Sequence, residues 1–221
     1  MYLNLKGKTA FVTGGGGGTG KVISHKLADE GCRIAVFGIN QERVLTTVHE
    51  IDAKHGTHNC AIVGDVSSRS DVQNAVQKAV ISLGRIDILI NCAGVSEIDA
   101  IVDIKEHHWN RIFDVNTKGV FLCTQAVARQ MIKQGRNESK LDSPAGIIVN
   151  IISESIQSPH TLCGAYVASK AAAAHFARTS ARELIKEGIR VNNVHPAIID
   201  DTYLTNYLQE KFRGWYGQTS E

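Results

Sequence analysis

With 221 residues, the chain is long enough to bury the core of one sizeable α/β domain and short for two. A formal net charge of +2, with Lys and Arg spread among acids, gives no field that would gather nucleic acid, and no apolar run reaches membrane-spanning length. The five cysteines, Cys32, Cys60, Cys92, Cys123 and Cys163, are odd in number, form no C-x-x-C pair and read as reduced, buried small hydrophobes; with no signal-like apolar core behind Met1, a soluble cytoplasmic protein is expected.

In chain order, the first predicted element is a β-prone strand at 9–13, which runs into Gly14-Gly15-Gly16-Gly17-Gly18-Thr19-Gly20 and out into a helix over 21–30 that stops at Gly31. Glycines at such a turn let the backbone approach a pyrophosphate, and the helix start behind them offers unpaired N–H groups and partial positive charge. Consecutive glycines also read as a flexible linker. The apolar Ala10, Phe11 and Val12 before them, and the helical spacing of Val22, Ile23, Leu27 and Ala28 after them, favour the dinucleotide site. Further strands are predicted at 33–37, 59–63, 86–91, 147–152 and 190–195, and further helices at 41–54, 69–83, 106–133, 166–186 and 203–212. Ser68, three residues ahead of Asp71, is a capping signal for the third helix. This alternation predicts an α/β fold, a three-layer doubly wound parallel sheet of Rossmann type, and with the glycine turn residues 1–221 are expected to form a single dinucleotide-binding domain. The polar stretch 135–144 reads as a long surface loop.

Open parallel sheets bind ligands beyond the carboxyl ends of their strands. After the glycine turn, the residues falling there are Gly38, then Asp65 and Val66, then Asn91, Cys92, Ala93 and Gly94, then Ser153, and last Pro196. Each has a purely structural explanation, since Asp caps helices and Asn and Gly make turns, but together they form a rim of polar and small groups. Asn116 falls on the apolar helical stripe of Trp109, Ile112, Phe113, Val120, Cys123, Val127 and Met131, where a buried amide is either a satisfied structural group or one placed for chemistry. Tyr166 and Lys170 lie one helical turn apart, an ordinary pair on an exposed helix, but here the tyrosine follows Ser153 by thirteen residues. No clustered metal-ligand set occurs: His107 and His108 are adjacent and point apart on a helix, and the other histidines are scattered.

The elements T-G-x-x-x-G-x-G over 13–20, Asp65-Val66, N-x-A-G over 91–94, Asn116, Ser153 and Y-x-x-x-K over 166–170 occur in an order and spacing that resembles the short-chain dehydrogenase/reductase family of the single-domain type, over about the whole chain. The resemblance implies an NAD(P)-dependent oxidoreductase interconverting a secondary alcohol and a ketone by hydride transfer. By position it implies Tyr166 as general acid/base, Lys170 as its assistant, Ser153 as the group orienting the substrate oxygen and Asn116 as support for a proton relay through water. It implies cofactor contacts from Gly14, Gly18, Thr19, Gly20, Gly38, Asp65, Val66, Asn91, Ala93, Gly94, Tyr166, Lys170 and Pro196, with the glycine turn on the pyrophosphate and Asp65 and Val66 at the adenine. The chemistry fits: a tyrosine with the ordinary pKa of about 10 is a poor base at neutral pH unless a nearby positive charge, here Lys170, stabilises the phenolate. No metal is needed.

Several features depart from the family pattern. Pro196 is followed by Ala197 where a Pro-Gly pair is usual, and Glu154, after Ser153, stands where a small residue is more usual, able to disfavour an anionic substrate or pair with a cationic one. The family's last edge strand is expected to be missing, leaving either an incomplete chain or an uncovered sheet edge, and an alternative reading follows from it: a catalytically impaired dinucleotide-binding or scaffold protein of the same fold. Residues 200–215, with Leu204, Leu208, Phe212 and Trp215 at helical spacing, are the candidate substrate lid or an ordinary packed helix. After the second strand, Phe37-Gly38-Ile39-Asn40 carries no acid to hold ribose hydroxyls, and Arg43 follows, so NADP is favoured slightly over NAD. Ala168, Ala171, Ala172, Ala173, Ala174, Ala177 and Ala181 either pack on the sheet or let a symmetry mate approach; the resemblance implies a homodimer through this helix and the one carrying Asn116, with a tetramer less certain.

Overall fold

Alternating apolar runs and amphipathic segments build one six-stranded sheet in the computed structural model, which describes residues 3–137, 145–199 and 210. The strands are β1 (Thr9–Thr13), β2 (Arg33–Gly38), β3 (Cys60–Val63), β4 (Ile88–Asn91), β5 (Gly146–Ile151) and β6 (Ile189–Val194), ordered β3-β2-β1-β4-β5-β6 with every pairing parallel. The helices are α1 (Gly18–Asp29), α2 (Gln41–His55), α3 (Arg69–Leu83), α4 (Glu106–Phe113), α5 (Gly119–Asn137) and α6 (Gly164–Leu184).

Parallel strands covered on both faces need apolar residues at every position. β1 is buried throughout, with Ala10, Phe11 and Val12 at its apolar centre and a threonine at each end, Thr9 and Thr13, whose backbone or hydroxyl is hydrogen-bonded. Phe11 joins Phe37, Leu89 and Ile148 in the cluster sealed by Leu122, Val127 and Met131 of α5, while Ala10 and Val12 face the opposite cluster with Val44, Val48 and Ile51 of α2. The predicted α3 cap is present, with Ser68 Oγ accepting from the Asp71 N–H.

Some boundaries differ from the sequence expectation. β3 begins at Cys60 because Asn59 turns its side chain onto Asp52 and the Ile34 N–H. β4 begins at Ile88 because Ile86 pairs with Gln134 and Asp87 accepts from the Thr9 N–H through its side chain. The helix predicted over 106–133 is divided into α4 and α5 by a π-helical turn, Asp114–Lys118, with Asn116 at its centre; such turns are frequent at functional sites. Helix α5 runs to Asn137, past the predicted start of the 135–144 loop. The predicted helix at 203–212 and the lid at 200–215 lie outside the described residues, apart from Glu210, which is helical and exposed. Among the described residues, β3 and β6 are the sheet edges.

The chain order reverses between β1 and β4, and the turns after these strands open a crevice there. Gly14 has φ +67, and a Cβ on it would lie 2.9 Å from Ala93 Cα, so the two turns touch only because this residue has no side chain. Gly20 is buried against the carbonyl of Gly14 at the start of α1, and a side chain there would fall on that backbone. Gly20→Ala is therefore expected to destabilise the chain by about 1–3 kcal/mol, read as a lower urea midpoint with an unchanged slope.

Candidate active site

Two cavities meet along the crevice and share Gly14, Gly17, Arg43, Ala93 and Gly94 in their walls. One, of about 710 Å³, extends over the ends of β2 and β3, where Gly38, Asn40, Asp65 and Val66 line it. The other, of about 380 Å³, extends over β5 and β6 and is lined by Gly18, Thr19, Gly20, Ser153, Tyr166, Lys170 and Pro196. The glycine turn thus divides a long bent cleft in two, and the start of α1 points into it. An elongated ligand with a phosphate bridge at its middle suits that shape, with N–H groups and bare backbone where the bridge would sit.

Two of the expected residues are absent from the cavity walls. The Asn91 amide donates to Thr124 Oγ1 at 3.1 Å and to Asn150 Oδ1 at 2.8 Å, bracing the sheet beneath the cleft. Asn116 is 0% exposed; its Oδ1 accepts from the Val95 N–H at 2.9 Å, and its Nδ2 donates to Val95 O at 2.9 Å and Ser169 Oγ at 3.0 Å. Its amide therefore fastens the turn after β4 to α6. Asn116 Oδ1 and Lys170 Nζ still converge beside Gly94, at 3.4 and 3.5 Å from where a Cβ on that glycine would lie.

Ser153, Tyr166 and Lys170 come together at one end of the smaller cavity. Lys170 is 5% exposed, and its ammonium donates to Ile151 O at 2.8 Å and lies 5.8 Å from the Tyr166 ring centroid. Burial drives the Tyr166 phenol above its ordinary value, against a hydrogen bond from Ser153 that pulls it down. This differs from the sequence expectation of a phenol lowered by Lys170: desolvation of the ring outweighs the other influences, and the ammonium is engaged with the Ile151 carbonyl. The thiols of Cys92 and Cys163 also line this cavity, and burial pushes both up, Cys92 to about 11.

Three further side chains shape the site. The buried Thr13 hydroxyl accepts from the N–H groups of Cys92 and Ala93 at 3.0 and 3.1 Å. Ser169 Oγ donates to Tyr166 O at 2.7 Å while accepting from Asn116. Ser155 donates to Ser153 through both its backbone N–H and its hydroxyl. The signals were in the sequence, as a hydroxyl inside Y-x-x-x-K and an S-x-S pair at a strand end, but neither pattern states a direction for its hydrogen bond.

Residues 8–212 match the family described as short chain dehydrogenase. The chain belongs to the short-chain dehydrogenase/reductase family. It is 34% identical over 198 residues to sorbitol dehydrogenase of Cereibacter sphaeroides, covering 90% of this chain and 73% of that one. It is also 34% identical over 207 residues to the 3-oxoacyl-acyl-carrier-protein reductase FabG of Staphylococcus epidermidis, covering 93% and 80%. The solved structure of an NAD+-bound xylitol dehydrogenase superposes with a TM-score of 0.85 at 30% identity, covering 92% of this chain and 75% of that one. A short-chain dehydrogenase/reductase is an NAD(P)-dependent oxidoreductase acting on CH–OH or carbonyl groups.

In this short-chain dehydrogenase/reductase, burial pulls Lys170 down to about 8, against an opposing influence of Cys92. Between about 8 and the ordinary lysine value of 10.5, the unfolded chain holds a proton that the folded chain has released. Stability rises with pH wherever the unfolded state binds more protons. Wild type should therefore gain stability relative to Lys170→Met as pH is raised through that window and show no such trend below it, measured as the difference in urea midpoints from about pH 7 to about pH 10.

Proposed function

We propose that the chain interconverts a secondary alcohol and a ketone, with Tyr166 as general acid/base. The observation that carries this reading is the convergence of Ser153, Tyr166 and Lys170 in the same cavity as the glycine turn. Hydride transfer at the carbinol carbon is the chemistry supplied by the bound nicotinamide. Tyr166 gives its phenolic proton to the carbonyl oxygen, and Ser153 donates a hydrogen bond to the same oxygen as negative charge develops. Oxidation of the alcohol runs the same path backwards. A phenol held above its ordinary value keeps its proton at neutral pH, the state from which it can be given to a carbonyl oxygen.

Lys170 steadies the phenolate that forms and, beside Gly94, stands close enough to the cofactor cavity to contact a ribose. Asn116 positions the turn that carries Gly94. Beyond Ser153, the charged side chain on the substrate side is Glu154, whose carboxylate lies 3.4 Å from His160 Nε2. That pair supports an uncharged substrate: the carboxylate repels anions, and the His160 ring already occupies the place beside it that a cationic group would take.

The cofactor reading favours NADP. Arg43 lines both cavities, with Nη1 3.8 Å from where a Cβ on Gly17 would lie, and the end of β2 presents Gly38, Ile39 and Asn40 with no carboxylate. The chain is further read as a cytoplasmic homodimer. Unpaired cysteines support the compartment. Half-buried Ala168, Ala171 and Ala172 on α6 support close approach of a second copy, whereas Ala173, Ala174 and Ala177 are already covered by the chain's own core.

Tyr166→Phe removes only a hydroxyl and should lower turnover by roughly 10²–10⁴ with little change in cofactor affinity. Activity unchanged across a panel of alcohols and ketones would move the assignment to a dinucleotide-binding scaffold. Arg43→Ala should weaken NADPH binding about tenfold more than NADH binding in a fluorescence titration, the loss expected for a charge-assisted contact. Wild-type protein that bound NADH tenfold more tightly than NADPH would end the NADP assignment.

A further inference from the structure

We propose that Ser155 is a positioning residue that fixes Ser153 as a one-way hydrogen-bond donor toward the reacting oxygen. This rests on the reading of Ser153 as the substrate-orienting group.

A serine hydroxyl has one proton to give and two lone pairs to receive. Ser153 sits at the N-cap of the 3-10 turn Glu154–Ile156 with extended backbone, so its Oγ points back over that turn. The Ser155 N–H donates to this oxygen at 3.2 Å and the Ser155 hydroxyl donates at 2.8 Å. Both lone pairs of Ser153 are then occupied. Its own proton is what remains to offer, and the cavity side presents Tyr166 and the space for a carbonyl oxygen.

The arrangement is rigid. Ser155 is 2% exposed, so water has little access to compete for its hydroxyl. The Glu154 N–H donates to Pro196 O at 2.9 Å, and His195 Nδ1 donates to Ser153 O at 3.2 Å, so the peptide between Ser153 and Glu154 is held from both sides by the segment after β6. Without Ser155's hydroxyl, one lone pair of Ser153 is freed. Ser153 can then accept from Tyr166 or from an alcohol, which turns its proton away from the atom where charge develops. A positioned donor of that kind is worth more in the transition state than in the ground state, so its loss falls mainly on kcat.

The test is a double-mutant cycle of Ser153→Ala and Ser155→Ala in the full chain, with ketone reduction followed by reduced-cofactor absorbance. Ser155→Ala alone should lower kcat about tenfold, the order expected for one misdirected hydrogen bond, with KM changed less than kcat. In the Ser153→Ala background it should add almost nothing, because the group it acts through is gone. Ser155→Thr, which keeps the hydroxyl, should recover most of the lost activity. The rise of alcohol oxidation with pH should move to higher pH in Ser155→Ala, since a redirected Ser153 no longer donates to the phenolate.

Full additivity in the cycle, or a neutral Ser155→Ala beside a damaging Ser153→Ala, overturns the proposal and leaves the functional reading standing. A neutral Ser153→Ala overturns the reading of Ser153 itself, and the proposal with it. If Ser155→Ala does not fold, Ser155→Cys, which keeps the size and weakens the donor, is read by the same cycle.

Discussion

The hydroxyl of Thr13 is the contact on which the cleft depends. It ends β1, accepts from two successive N–H groups of the turn after β4, and gives its own proton to Ile90 O at 3.4 Å. A valine in its place would fill the same volume and take the side-chain acceptor from two partly buried N–H groups, at a cost of roughly 1–3 kcal/mol in all. Together with the missing side chain of Gly14, it brings the two turns into contact, so the floor shared by both cavities is set by one oxygen and one absent carbon.

Further polar groups extend that floor sideways. Amide side chains run from Thr124 on α5 through Asn91, Asn150 and Asn193 to the Ala174 carbonyl on α6, crossing β4, β5 and β6. Asn116 and Ser169 hold the start of the same helix. Buried amides are costly unless satisfied, and these are satisfied by one another. Helix α6 is held at its start and near its middle, which is what keeps Tyr166 and Lys170 in fixed relation to Ser153.

Much of this was legible in the sequence because it follows from period and punctuation. Six strands, the glycine turn, the Ser68 cap and the convergence of Ser153, Tyr166 and Lys170 all follow from apolar runs, turn residues and spacing. What was not legible depends on which way a side chain turns after the elements pack. The stripe containing Asn116 gave a buried amide, but not the π turn that carries it, nor its engagement with Val95 and Ser169. Trp109, on the same stripe, is 40% exposed and stacked on Phe113, outside the core that its spacing suggested. The sign of the Tyr166 shift was missed for a related reason, since desolvation depends on everything packed around the ring and charge spacing along a helix does not report it.

The pairing of β1 with β4 joins positions farther apart in the chain than any other pairing in the sheet. Parallel strands cannot close through a hairpin, so each pairing waits for a crossover to form, and long-range pairings of this kind slow folding. The crevice lies across that seam. A chain with only β1 to β3 in place has the glycine turn but no opposing wall, and therefore no site. A ligand that spans the crevice binds the completed sheet and not its precursors, so by mass action it draws the population toward the finished fold. Occupancy and folding are in this way one equilibrium, and the cellular supply of the dinucleotide bears on how much folded protein there is as well as on how fast it works.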